Sequence, residues 1–101
     1  MEWLSRPKPP TAVFCADDQR VPDVYRTLAE LGKRIPQDIS VLGRGNLPMG
    51  ATLSPALTPF AIQPFEMGRK AAEMLIHVIQ KRQRGVSRIC LDAPLIKRDS
   101  A

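Results

Sequence analysis

The sequence predicts an α/β fold in which parallel strands are flanked by helices. Three observations carry this reading. Apolar residues run without alternation from Ala12 to Ala16, the pattern of a strand covered on both faces of a parallel sheet. An apolar stripe of helical period follows at once in Val21, Val24, Tyr25, Leu28 and Leu31. A second short apolar run, Ile39-Ser40-Val41-Leu42-Gly43, comes next. Strand, helix and a strand returning beside the first make a βαβ unit with a right-handed crossover.

The bulk numbers bound the answer. A chain of 101 residues holds one domain at most and a small core. Its 44% hydrophobic content argues against disorder. The net charge of +5 is spread along the chain and reads as a solvated basic surface, not as a nucleic-acid arm. Lys81-Arg82-Gln83-Arg84 and Lys97-Arg98 are the nearest basic clusters, and both lie at element ends, where cations suit a helix C-terminus. Cys15 and Cys90 lack Cys-x-x-Cys spacing, so buried reduced thiols are expected instead of a metal or redox site. No cofactor is expected. No apolar run approaches a membrane span, and residues 1–10 lack a signal-peptide core, which implies a cytoplasmic location.

In order, residues 1–10 read as a connector and 11–101 as the domain proper. Trp3 and Leu4 suggest the tail of an element that packs on something, and Pro9-Pro10 holds the approach to the first strand extended. Asp17 and Asp18 form an acidic corner after that strand. In open α/β sheets, ligands bind beyond the carboxyl ends of the strands, so this corner marks a pocket mouth. The regular helix is expected to begin near Pro22, with Asp18 to Val21 as an irregular lead-in and Gly32 as C-cap. Arg26 and Glu30 make an exposed i,i+4 pair. Lys33 to Asp38 turn into the second strand.

Arg44 to Ala56 form a loop at the same carboxyl edge as Asp17 and should line the same pocket. Leu57 to Ile62 read as a short extended segment broken by Pro59. From Pro64 or Phe65 to about Gln83 runs the clearest helix, with Met67, Ala71, Met74, Leu75, Val78 and Ile79 on one face. That face is either ordinary core or an oligomer surface. Opposite it lie the i,i+4 pairs Arg69-Glu73, Glu66-Lys70 and Glu73-His77. His77, the single histidine, reads as a solvated helix residue instead of a catalyst. Gly85 ends the helix, and Arg88 to Arg98 read as a last strand interrupted at Pro94.

Several stretches, in order, resemble one family. Pro10 to Asp18, Gly32 to Gly43, Pro55 to Thr58, Glu66 to Ala72 and Pro94 to Ser100 are similar to the C-terminal part of lactose-repressor/galactose-repressor (LacI/GalR) transcription regulators. The run from Gly32 to Gly43 together with the helix from Glu66 is the most specific part. The resemblance implies part of a type I periplasmic-binding-protein-like lobe, in which two α/β lobes close on a small effector such as a sugar or nucleobase. It further implies homodimers formed through the sensor domain and operator DNA bound through a separate N-terminal helix-turn-helix. The apolar face of the long helix itself suggests association with a second copy or with a lobe absent here. The chain resembles about the last third of such a regulator.

Site residues carry over one at a time. Asp17 matches the position whose side chain hydrogen-bonds the effector, and a carboxylate can accept from sugar hydroxyls. Asp18 matches the next acidic position, for which helix capping is the expected role. After Gly43 the family often has an aromatic residue and then an Asp that contacts ligand. This chain has Arg44, Gly45 and Asn46 instead. Arg44 either faces an anionic effector or is simply exposed. Asp17, Arg44 and Asn46 are therefore the candidate ligand-binding residues. Two rivals remain at this point. One is an Mg-binding phospho-acceptor or hydrolase-like domain using Asp17 and Asp18. The other is a free-standing small-molecule-binding protein. No phosphate loop, nucleophile elbow or metal-ligand spacing accompanies the two carboxylates, which argues against catalysis.

Overall fold

The computed structural model describes residues 2–81 and 87–101. Three parallel strands, β1 (Ala12–Phe14), β2 (Ser40–Arg44) and β3 (Thr58–Phe60), form one sheet in the order β1-β2-β3. Val13 lies beside Val41, and Gly43 beside Pro59. Helix α1 (Val21–Glu30) joins β1 to β2, and α2 (Pro64–Lys81) follows β3. Three short 3-10 turns occupy Glu2–Ser5, Asp18–Arg20 and Pro48–Thr52. The expected α/β class with parallel strands is what the chain adopts.

The local chemistry explains α1. Pro22 sits in its first turn, where its missing N–H is no loss. Its apolar stripe puts Val21 and Leu28 wholly inside and packs Val24 and Tyr25 against them. At its end Gly32 takes φ +69°, which a Cβ would strain. The Gly32 amide then reaches Ala29 O (3.0 Å) and the Lys33 amide reaches Leu28 O (2.9 Å), the paired bonds of a Schellman cap. Arg26 turns back to Asp23 at 3.7 Å and not forward to Glu30, as the sequence suggested.

The core gathers Cys15, Val21, Leu28, Ile39, Val41 and Leu57, with Trp3 and Leu4 of the first 3-10 turn packed against it. Only one face of the sheet joins this cluster. Successive strand side chains alternate, so Cys15 and Val41 meet α1 while Phe14 points the other way and stays 54% exposed. The expectation that β1 is covered on both faces is therefore corrected. Phe14 instead meets Phe60 edge-to-face, with ring centroids 5.9 Å apart, across the uncovered face. β1 also ends earlier than Ala16, although the Cys15 amide still bonds Leu42 O at 2.8 Å.

Pro59 does not break its segment. It lies within β3, and its carbonyl accepts from the Ile96 amide at 2.9 Å. Proline is tolerated there because β3 is the edge of the sheet. The expected last strand over 88–98 is not formed among the described residues. That stretch makes a single antiparallel bridge, Leu95 with Phe60, and otherwise follows β3 irregularly, because Pro94 offers only its carbonyl. Cys90 is accordingly exposed, not buried, while Cys15 is buried as expected. Farther on, Ser100 is wholly buried, where its hydroxyl donates to Val41 O (2.6 Å) and accepts from the Thr58 amide (2.8 Å).

Helix α2 carries no buried residue. Phe65 is 80% exposed, and Leu75, Ile76 and Ile79 lie open beside it. Arg69 binds Glu73 as expected and also Glu66, so Glu66 pairs with Arg69 and not with Lys70. His77 lies on the exposed surface of α2. The expected helix end near Gln83, its stop at Gly85, and Arg82 and Arg84 of the basic cluster fall outside the described residues.

Candidate functional site

All three parallel strands deliver their carboxyl ends to one place. Ala16, Asp17 and Gln19 follow β1; Arg44, Gly45 and Leu47 lie at the end of β2; Ile62 and Pro64 follow β3. Together they line a cavity of about 350 Å³. Parallel strands force this convergence, since every loop leaving the sheet in that direction leaves from the same edge.

The capping role expected of Asp18 falls to Asp17, which also lines the cavity. Asp17, not Asp18, caps the 3-10 turn. It has extended backbone, and its Oδ1 accepts from the Gln19 amide at 2.9 Å. Its side chain is otherwise exposed at the cavity wall. Asp18 is wholly buried, and its Oδ2 accepts from the Leu47 amide at 3.0 Å. Asp18 thus ties the loop after β2 to the corner after β1. Its Oδ1 is buried, has no hydrogen-bond partner among the described residues and lies against Gly43. A Cβ on Gly43 would fall 2.3 Å from that oxygen, so only glycine admits the carboxylate here.

Arg44, the last residue of β2, is exposed and lines the cavity. Its Nη1 donates to Ala16 O at 3.3 Å, which leans the guanidinium over the end of β1. Asn46 takes φ +64° and is not among the residues lining this cavity. Its Oδ1 accepts from Arg98 Nη2 at 3.1 Å, while Arg98 Nη1 donates to Leu57 O at 3.0 Å. Arg98 was not among the sequence candidates. It stands 52 positions from Asn46, and no local spacing signals such a contact.

The site offers poor footing for catalysis through its carboxylates. Asp18 is sealed in the interior and already engaged by Leu47. Burial, and then the charge of Asp18, push the Cys15 thiol above its usual 9.0, which keeps it protonated and unreactive. The arrangement presents instead one carboxylate acceptor, Asp17, and one guanidinium donor, Arg44, on the wall of a small cleft.

A parallel sheet with a cleft at its carboxyl edge is an α/β arrangement suited to a small ligand, and comparison with known proteins places it. The family described as periplasmic binding protein-like domain matches residues 1–101, and the chain belongs to it. The ribose operon repressor of Haemophilus influenzae is 31% identical over 97 residues, 96% of this chain and 29% of that protein. The transcriptional repressor CytR of Escherichia coli K12 is 33% identical over 99 residues, 98% of this chain and 29% of that protein. A LacI family regulator from Enterococcus faecium, solved with bound ribose, superimposes with a TM-score of 0.74 at 34% identity, covering 98% of this chain and 36% of that one. The resemblance to the LacI/GalR regulators therefore holds along nearly the whole chain. The chain spans under a third of the length of these curated relatives. They are named as repressors, not enzymes, which leaves the phospho-acceptor and hydrolase readings unsupported.

Proposed function

We propose that the chain is the effector-sensing and dimerisation part of a LacI/GalR-type transcriptional regulator. The observation that supports this best is the cleft lined from the carboxyl ends of all three parallel strands, in a chain whose relatives are repressors. Asp17 accepts from effector hydroxyls, and Arg44, whose guanidinium lies over Ala16 O, donates to the effector. Asn46, held by Arg98 and outside the cavity lining, shapes the loop that follows Arg44 and does not itself meet the effector. A ribose-like sugar is the first effector to try, because a relative with the same architecture holds ribose. Operator DNA is contacted by a separate helix-turn-helix of the parent regulator, which works in the cytoplasm.

Isothermal titration of the protein with ribose tests the reading. Binding that weakens about tenfold or more in Asp17→Ala is expected, the usual effect of removing a charged hydrogen-bond partner. Ribose binding that is indifferent to Asp17→Ala would remove the cleft from the account.

A further inference from the structure

The cleft holds a guanidinium, Arg44, that is in no ion pair among the described residues. Among those residues its one hydrogen bond goes to a neutral carbonyl, Ala16 O, at 3.3 Å. Arg98 likewise donates to neutral oxygens, Leu57 O and Asn46 Oδ1, but two other arginines differ. Arg34 and Arg69 are each saturated by carboxylates on their own element or turn. Arg44 also borders a second cavity of about 500 Å³, where among the described residues the other charged wall residues are Lys70 and Arg88. The guanidinium therefore sits between two openings, with a single acid, Asp17, at the rim of one of them.

We infer that the effector is a polyol carrying an anionic group, its hydroxyls donating to Asp17 and its carboxylate or phosphate received by Arg44. This rests on the effector-binding reading above. A neutral sugar would satisfy Asp17 but offer the guanidinium only uncharged hydroxyl oxygens. An oxyanion matches the planar fork of Arg44 and forms charge-assisted hydrogen bonds there. Asp17 would repel an anionic group placed beside it, which fixes the direction in which the ligand lies.

The test titrates the protein with ribose, ribonate and ribose 5-phosphate at low ionic strength, with inorganic phosphate as a control. One or both anionic sugars should bind on the order of tenfold to a hundredfold more tightly than ribose, and the advantage should shrink as salt is added. Which of the two wins distinguishes a carboxylate from a phosphate. The advantage should fall within about threefold of ribose in Arg44→Gln and return in Arg44→Lys, since a lysine ammonium still binds oxyanions. Ribose binding as tightly as the anionic sugars, or an anionic preference that survives in Arg44→Gln, would overturn this inference while leaving the effector site standing. Phosphate alone matching ribose 5-phosphate would reduce the site to an adventitious ion only. Failure of every sugar to bind would overturn the effector-binding reading itself, and this inference with it.

Discussion

The buried Asp18 carboxylate accepts a hydrogen bond from the amide of Leu47, 29 positions along the chain, at 3.0 Å. This one bond fastens the loop after β2 to the corner after β1 and so sets the spacing between the two walls of the cleft. The amide is partly buried and would not recover a full water partner if the carboxylate were removed. Asp18→Ala should therefore lower stability by about 1–3 kcal/mol, the usual range for an orphaned polar group. Asp18→Asn, which keeps an acceptor oxygen, should lose less. Urea unfolding of both variants measures the difference, and equal midpoints for Asp18→Ala and the parent chain would contradict it.

Gly43 and Gly68 make a paired test. A methyl at Gly43 would meet Asp18 Oδ1 at 2.3 Å and Leu57 Cδ2 at 2.7 Å, while one at Gly68 meets nothing within 4 Å. Gly43→Ala should destabilise by about 1–3 kcal/mol through overpacking. Gly68→Ala, on α2, should stabilise by about 0.5–1 kcal/mol by reducing the freedom of the unfolded chain. Thermal melts of the two variants should move in opposite directions.

The turn between α1 and β2 is pinned by Asp38, whose carboxylate accepts from the Arg34 guanidinium (3.0 Å) and from the Arg34 amide (2.8 Å). These bonds hold the Asp38 carboxyl at about 2, below its ordinary 3.8. Because the folded value is the lower one, the stabilisation is complete well above 3.8 and is lost as pH falls through about 2. An NMR titration of the Asp38 carboxyl carbon should show the depressed midpoint, and Arg34→Ala should return it toward 3.8. A midpoint near 3.8 in the unaltered chain would show that the pair does not persist in solution.

The face of α2 bearing Leu75 and Ile79 has no cover within the described residues, with these side chains 62% and 66% exposed. Contiguous apolar surface of this kind marks an interface. The chain should therefore associate in a concentration-dependent way in sedimentation experiments, and Leu75→Lys with Ile79→Lys should shift it toward monomer. A compact monomer at high concentration would contradict this.

Much of the fold was legible in the sequence because local rules decide it. Pro22, the apolar stripe and Gly32 mark both ends of α1, and the short apolar runs locate β1 and β2. The errors arose where a residue's environment comes from far along the chain. Phe14 has the composition of an interior strand residue, but covering its face requires polypeptide that local pattern cannot supply. Pro59 looks like a breaker until the edge position of β3 makes its missing donor harmless. The segment after Ser87 has strand-like composition and yet makes one bridge. At the cleft, the carboxyl-edge rule located Asp17 and Arg44, whereas the cap made by Asp17 and the burial of Asp18 were not visible. Which of two adjacent carboxylates turns inward depends on the space left by Gly43 and the donor offered by Leu47.

The carboxyl edge of the sheet should receive a small polyhydroxylated effector. Amide chemical-shift mapping during a ribose or ribose 5-phosphate titration reads this residue by residue. The largest shifts should fall on Asp17, Gln19, Arg44, Gly45 and Leu47, with little change in α1. Shifts confined to residues away from the strand ends, or none at saturating sugar, would contradict it.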